Sequence, residues 1–307
     1  MAFAPAVVHA GPWLPGPGHF YLELREQLVT TTQGFDAHGT RRPLSTYDGA
    51  GLATHARLLD AQSVLYTEIG LATRLAVVAD LVLLRSITLP RGGQSTASTI
   101  GVGDLRAGLR VKLLDEEVSC ALEARLGVPT GKSDGAQPLG PGDLRGELAL
   151  SFGHVWDRVP VFLAGELGAR VRSSGTQRLP PQQVPTAGAP TRVTVDYASE
   201  LTYGADLGYV ARAGERLRVV PRVGLEGRHG LRAPTTAAPA SVLVDPLQPA
   251  SVRLLRVSAS LGFDLVLRAR AASTPAHLEL AISGGAFVWG QGIPAAADIA
   301  LSLGLSR

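Results

Sequence analysis

The chain has 307 residues, 45% of them hydrophobic and only 18% charged, with a formal net charge of +3. That basic excess is spread out, with no Lys/Arg run, which argues against a nucleic-acid surface and its basic stripe with interleaved aromatics. The single cysteine, Cys120, excludes an intramolecular disulfide and a multi-cysteine metal site.

No apolar run reaches the ~18–20 residues of a membrane-spanning helix, but strands of a membrane barrel need only about 9–11. Residues 1–10 end in Val8-His9-Ala10, a small-residue cleavage context. They predict the tail of a secretion signal that begins upstream, an ordinary N-terminal arm being the alternative. Residues 11–307 are then one domain. After a Pro/Gly-rich lead-in at 11–18, a first strand is predicted over 19–32. Phe20, Leu22, Leu24 and Leu28 share one parity and Tyr21, Glu23, Arg25 and Gln27 the other; Glu26 interrupts the apolar row. A long connection spans 33–62, within which 52–58 could extend a strand. Strands at 63–71 and 75–86 follow, joined by a tight turn at 72–74. In the second, Leu75, Val77, Leu81 and Leu83 face outward, and the inward row is apolar apart from Asp80. Residues 87–100 form a Gly/Ser/Thr loop.

From 101 to 171 four runs of about 11–14 residues alternate in polarity, as two-faced strands must. Leu105, Leu109, Val111 and Leu113 oppose Asp104, Arg106, Arg110 and Lys112. Val118, Cys120, Leu122 and Leu126 oppose Glu123 and Arg125. Leu144, Leu148, Leu150 and Phe152 oppose Arg145 and Glu147, and Val161, Leu163, Leu167 and Val171 oppose Glu166 and Arg170. Turns at 115–117 and 157–160 are short, whereas 129–142 is a long Gly/Pro loop.

Another long loop covers 172–193. A strand over 194–209 sets Tyr197, Leu201, Tyr203, Leu207 and Tyr209 against Asp196, Glu200 and Asp206. The turn at 211–216 leads to 217–228, whose inward parity carries Arg218, Arg222, Glu226 and Arg228. Pro221 on its outward parity implies a bulge or weakened pairing. A long loop at 229–251 precedes the strand at 252–267, with Arg256 inward. Strands at 276–288, with Glu279 inward, and 298–305 close the chain. The count is twelve, every other connector is long, and both ends fall on the short-turn side. An even count with two unlike rims predicts an all-β, up-and-down antiparallel transmembrane barrel. A soluble sandwich also alternates, but its strands average about 5–6 residues and its polar face meets water. Closure also leaves no sheet edge unpaired in lipid.

Several short motifs resemble one outer-membrane family. These are Gly103-Asp104-Leu105, then Gly127-Val128-Pro129-Thr130-Gly131, then Gly140-Pro141-Gly142-Asp143-Leu144, together with the opening GPWLPGPGHFYLELREQ and FDAHGTRRPL. In order and spacing, over nearly the whole mature chain, they resemble the family called "MetA-pathway of phenol degradation" or transporter-like proteins. That resemblance implies a passive channel in the bacterial outer membrane, associated with aromatic or other small apolar compounds. Aromatics make up only 5% of the chain, so the interfacial girdles are thin, with Trp156, Tyr197, Tyr209 and Trp289 near strand ends.

The catalytic search finds little. Gly127 to Ser133 looks like a phosphate-binding loop but has three residues between its glycines where the pattern needs four, and no helix follows. The seven histidines are scattered without metal spacing, and the absence of asparagine removes a Ser-His-Asn arrangement. No enzymatic activity, cofactor or metal is expected. Outer-membrane lipid and a small solute are the expected partners, and nucleic acid is not.

The inward parity is the informative surface. It predicts a lumen lined by Glu23, Arg25, Glu68, Asp80, Asp104, Arg106, Arg110, Lys112, Glu123, Arg125, Arg145 and Glu147. It continues through Glu166, Arg170, Asp196, Glu200, Asp206, Arg218, Arg222, Glu226, Arg228, Arg256 and Glu279. The signs nearly balance. Either neighbouring strands pair these charges into a purely structural lumen, or they line a wet path for a small solute, gated by the loops at 33–62, 172–193 and 229–251. A structural or adhesive barrel with a closed lumen is the alternative, and an outer-membrane enzyme a more distant one.

Overall fold

Alternating strands of this length satisfy their backbone groups in lipid only by closing on themselves. The computed structural model describes residues 12–36, 38–43, 57–89, 97–131, 139–140, 142–156, 158–178, 192–231, 253–267, 275–291 and 293–307. The secretion-signal segment at 1–10, most of the predicted gating loops and the Lys132-Ser133 pair lie outside them.

The elements in chain order are β1 (Phe20–Thr31), β2 (Gln33–Phe35), β3 (Arg41–Pro43), β4 (Leu58–Ala72), β5 (Leu75–Leu89) and β6 (Ala97–Gly101). Next come β7 (Leu105–Asp115), β8 (Val118–Val128), β9 (Arg145–Val155), β10 (Val161–Arg172), β11 (Ser174–Arg178), β12 (Arg192–Asp196) and β13 (Glu200–Tyr209). The chain finishes with β14 (Ala211–Arg212), β15 (Leu217–Gly230), β16 (Arg253–Leu267), β17 (Ala276–Gln291), β18 (Ile293–Pro294) and β19 (Ala297–Ser306). Twelve of them, β1, β4, β5, β7, β8, β9, β10, β13, β15, β16, β17 and β19, form an antiparallel meander, each pairing with the next. Pairing of β1 with β19, from Tyr21 with Ser306 to Thr30 with Ala297, closes the barrel.

The outward parity is an apolar belt. Leu24, Leu109, Leu122, Leu150, Leu167 and Leu301 all face away from the barrel and are exposed. No helix among the described residues is long and apolar enough to cross a membrane. Trp156, Tyr209 and Trp289 are exposed near strand ends, as girdle residues are. Glu26, the charge in the belt, accepts a 2.7 Å hydrogen bond from Ser63 Oγ across the β1–β4 pair.

Three expectations need correction, and a fourth, at Pro221, holds as weakened pairing. The strand expected over 194–209 breaks at 197–199. Asp196 therefore ends β12, opposite Ser174 in a separate two-stranded sheet, and does not line the barrel wall. Tyr197 is buried beneath Arg172, whose guanidinium carbon sits 3.8 Å from the ring centroid, so it is not a girdle residue. Asp104 lies in the break between β6 and β7, yet its carboxylate still turns into the lumen. Pro221 causes no bulge, because its pairing with Leu261 is continuous. It sits where the β13 pairing stops at Arg222 and the β14 pairing has yet to begin, so its missing N–H falls in a gap.

Candidate functional site: the barrel lumen

The inward charges are paired across strands. Starting near the short-turn rim, Arg110 holds Glu68 at 2.9 Å and Glu123 at 2.7 Å. Glu123 also contacts Arg125, which reaches Asp80 at 3.0 Å, and Asp80 holds Arg106 at 2.6 Å. Arg106 leads through Glu147 (3.8 Å) to Arg170 (2.8 Å) and on to Glu200 (3.2 Å). Glu200 meets Arg172, which binds Asp143 at 2.6 Å; Asp143 faces Arg145, and Arg145 closes on Asp104. The result is one chain of strictly alternating sign that climbs the wall from β4 to β13. Many links are directly opposed in register, including Arg110 with Glu123, Asp80 with Arg106 and Glu147 with Arg170. Charges taken out of bulk water need such partners.

Smaller groups complete the wall. Arg25 reaches back to Glu23 at 2.8 Å, and Tyr21 donates to the same carboxylate. Arg256 binds Asp298 at 2.6 Å and Glu226 at 3.1 Å. Arg218 and His277 converge on Asp264, at 3.6 and 2.9 Å, beside Glu279, which stands opposite Asp264 in register. Lys112 turns toward the rim and holds Asp115. Glu166, Asp206, Arg222 and Arg228 point inward without an ion pair among the described residues.

Sequence reasoning misses six members of this site. Asp60 and Arg85 form a buried pair with a 2.6 Å contact. Asp60 is hidden because β4 begins at Leu58 rather than 63. Arg85 is hidden because a bulge at the Ser63–Val64 step sets Leu83 and Leu84 both outward and reverses the parity beyond them. Arg172 lies just past a predicted strand end, whereas Asp143 opens the predicted run after 129–142 with the same parity as Arg145, and the strand itself begins only at Arg145. Asp298 begins β19, and its inward parity was readable in the sequence, as was that of Asp264.

The lumen is unevenly filled. At the short-turn end Ala76, Val78, Ala121, Phe162, Ala164 and Val220 are all at most 1% exposed and form an apolar floor. Residues 12–18 cross this floor as a strap: Trp13 packs edge-on against Phe162, with ring centroids 6.4 Å apart and planes at 87°. Two glycines accept the strap. A Cβ at Gly153 would overlap the Trp13 ring, and one at Gly70 would overlap the carbonyls of Pro15 and Gly16. Gly18 N–H also donates to the Gly70 carbonyl at 2.9 Å.

Above the floor lie two chambers. The larger, about 530 Å³, is bounded by β1, β4, β5, β16, β17 and β19. The smaller, about 240 Å³, is bounded by β8, β9, β10, β13 and β15. Arg106, Arg170, Glu226, Arg228, Leu254 and Ser258 line both. At the long-loop end Phe35, Leu254 and Ile293 pack together with Phe287 and Ala295 under the small β18–β2–β3 sheet.

No protein-family model matches the chain, and no curated protein matches it. Solved structures do. The crystal structure of the COG4313 outer membrane channel from Pseudomonas putida F1 aligns with a TM-score of 0.63 at 15% identity, covering 96% of this chain and 97% of that one. The translocator domain of the autotransporter NalP from Neisseria meningitidis aligns with a TM-score of 0.48 at 10% identity, covering 95% and 89%. The P. putida toluene transporter TodX aligns with a TM-score of 0.41 at 14% identity, covering 95% and 90%. The first likeness is one of fold: a closed barrel of the outer-membrane type.

Proposed function

We propose that this barrel is a passive outer-membrane channel for small solutes, working without cofactor, energy coupling or a catalytic step. The observation that carries the reading is the pair of polar chambers sharing a wall inside the barrel. A lumen built only for structure would be packed throughout, as its floor is. The fold-level likeness to a protein named as an outer membrane channel supports the same reading.

A second reading, a structural barrel with a shut lumen, is favoured by that floor, where inward side chains are buried and the strap lies across them. Planar-bilayer recording on the detergent-refolded chain separates the two. A gated channel gives discrete single-channel steps. A barrel that is heat-modifiable on gels, and so folded, but gives no steps would establish the shut lumen instead.

A further inference from the structure

We propose that the larger chamber is a binding station for a small amphipathic carboxylate, an aromatic or short aliphatic acid, whose charge is taken by Arg228. This deepens the channel reading and rests on it. The chamber wall carries seven arginines against four carboxylates, whereas the smaller chamber carries four against five. Acids outside that wall, Glu23, Asp60 and Glu200, answer Arg25, Arg85 and Arg170, so the surplus comes down to an arginine left over.

Most of its arginines already have acids. Asp80, Asp104 and Asp298 stand in the same wall, paired with Arg106, Arg145 and Arg256. Arg228 differs. Among the described residues it makes no ion pair and no hydrogen bond, although it lines both chambers at their junction. A guanidinium in a confined lumen, short of a partner, offers a planar fork that matches a carboxylate's two oxygens.

Part of the chamber wall is apolar, and Leu254 stands next to that fork. Leu254 is the register partner of Arg228 on β16, and Phe287 packs against Leu254. Val29 and Val82 line the same chamber, and Ser258 lies at the junction with a hydroxyl to donate. A charged fork beside Leu254, in a chamber that also presents Phe287, Val29 and Val82, fits a molecule with a carboxylate at one end and a ring or short chain at the other. A volume of about 530 Å³ lies within the usual range for small-molecule sites, about 300–1,000 Å³. A cation would meet carboxylates that are already engaged. Glu226, the exposed acid there, is held by Arg256 at 3.1 Å.

The test is calorimetric titration of the refolded full chain in detergent with sodium benzoate, and with phenol as its neutral counterpart. Saturable benzoate binding tighter than phenol binding is expected, weakening as salt rises. Arg228→Gln should weaken benzoate about tenfold or more while leaving phenol unchanged. Arg228→Lys, which keeps the charge but loses the fork, should fall between and covers the case in which the glutamine variant does not refold. Benzoate binding no tighter than phenol, or indifferent to both substitutions, overturns the station. Bilayer recording then separates this proposal from the one beneath it. Steady conductance unaffected by benzoate keeps the channel and overturns the station. Saturable, Arg228-dependent binding without conductance keeps the station and overturns the channel.

Discussion

Arg110 shows what a single luminal residue does. Its guanidinium serves two carboxylates from different strands, Glu68 on β4 and Glu123 on β8, while its own side chain is only 5% exposed. Replacement by Met takes the guanidinium from Glu68, which keeps only the Tyr66 hydroxyl, and leaves Glu123 to Arg125, a loss of roughly 3 kcal/mol. Urea unfolding in detergent micelles, followed by the heat-modifiable gel shift, should show that loss. Arg256 is the contrast, since its partner Glu226 has a side chain 54% exposed that water can solvate. Glu226→Gln should cost no more than about 1 kcal/mol in the same assay. Outside the membrane span, Asp36 accepts hydrogen bonds from the Arg42 guanidinium (2.7 Å) and from the N–H groups of Thr40 and His38. The Arg42 bond first, then the backbone donors, hold its carboxyl down to about 2. A depressed carboxyl stabilises the folded form fully above its ordinary value and loses that contribution as pH falls through about 2. Amide exchange at Thr40 should therefore stay protected through pH 4 and rise only toward pH 2; in Asp36→Asn it should show no such step.

At the scale of an element, small irregularities decide which chemistry reaches the lumen. The bulge at Leu83 and Leu84 reverses the parity of the rest of β5, bringing Arg85 inward to Asp60 and burying Ile87. A second register shift between Lys112 and Leu114 sends Leu113 and Leu114 both outward, just where β7 meets its turn. The strap at 12–18 is an element of a different kind, irregular and held by packing on Gly70 and Gly153. If it helps seal the short-turn end, Trp13→Ala should raise unitary conductance or open probability several-fold over wild type in planar bilayers. Gly153→Leu, which fills the site of the Trp13 ring, should do the same while leaving the ring itself intact. Equal conductance in all three proteins would place the constriction in the floor residues.

Across the whole molecule, closure and charge pairing are two sides of one requirement. A barrel of this strand number has a narrow lumen, and inward side chains can fill much of it. The apolar floor fills one end, and the alternating chain from Glu68 to Asp104 rigidifies the wall between. What is left open among the described residues is the pair of chambers, where the proposed passage would run. Buried networks of this kind hold a wall firmly only while every member is satisfied. The inward groups outside the pairing scheme are thus the ones available to a solute, and Arg228 is placed best among them.

Period-two alternation of polar and apolar residues, read along the chain, determined the strand count, the meander order and which parity faces lipid. That signal is strong because a strand slipped by one residue would put every charge in the belt. It also placed Glu68, Arg110, Glu123, Glu147 and Arg170 on one wall, since each lies mid-strand where parity is undisturbed. Asp60, Arg85 and Arg172 sit beyond a bulge or outside the predicted strand bounds, and Asp196 was misplaced because the strand expected over 194–209 breaks after it. Only the tertiary structure decided which acid meets which arginine, that Trp13 lies over the floor, and that Arg228 has no ion-pair partner among the described residues. Those facts depend on side chains from distant strands meeting across the lumen, and no local pattern in the chain records that distance.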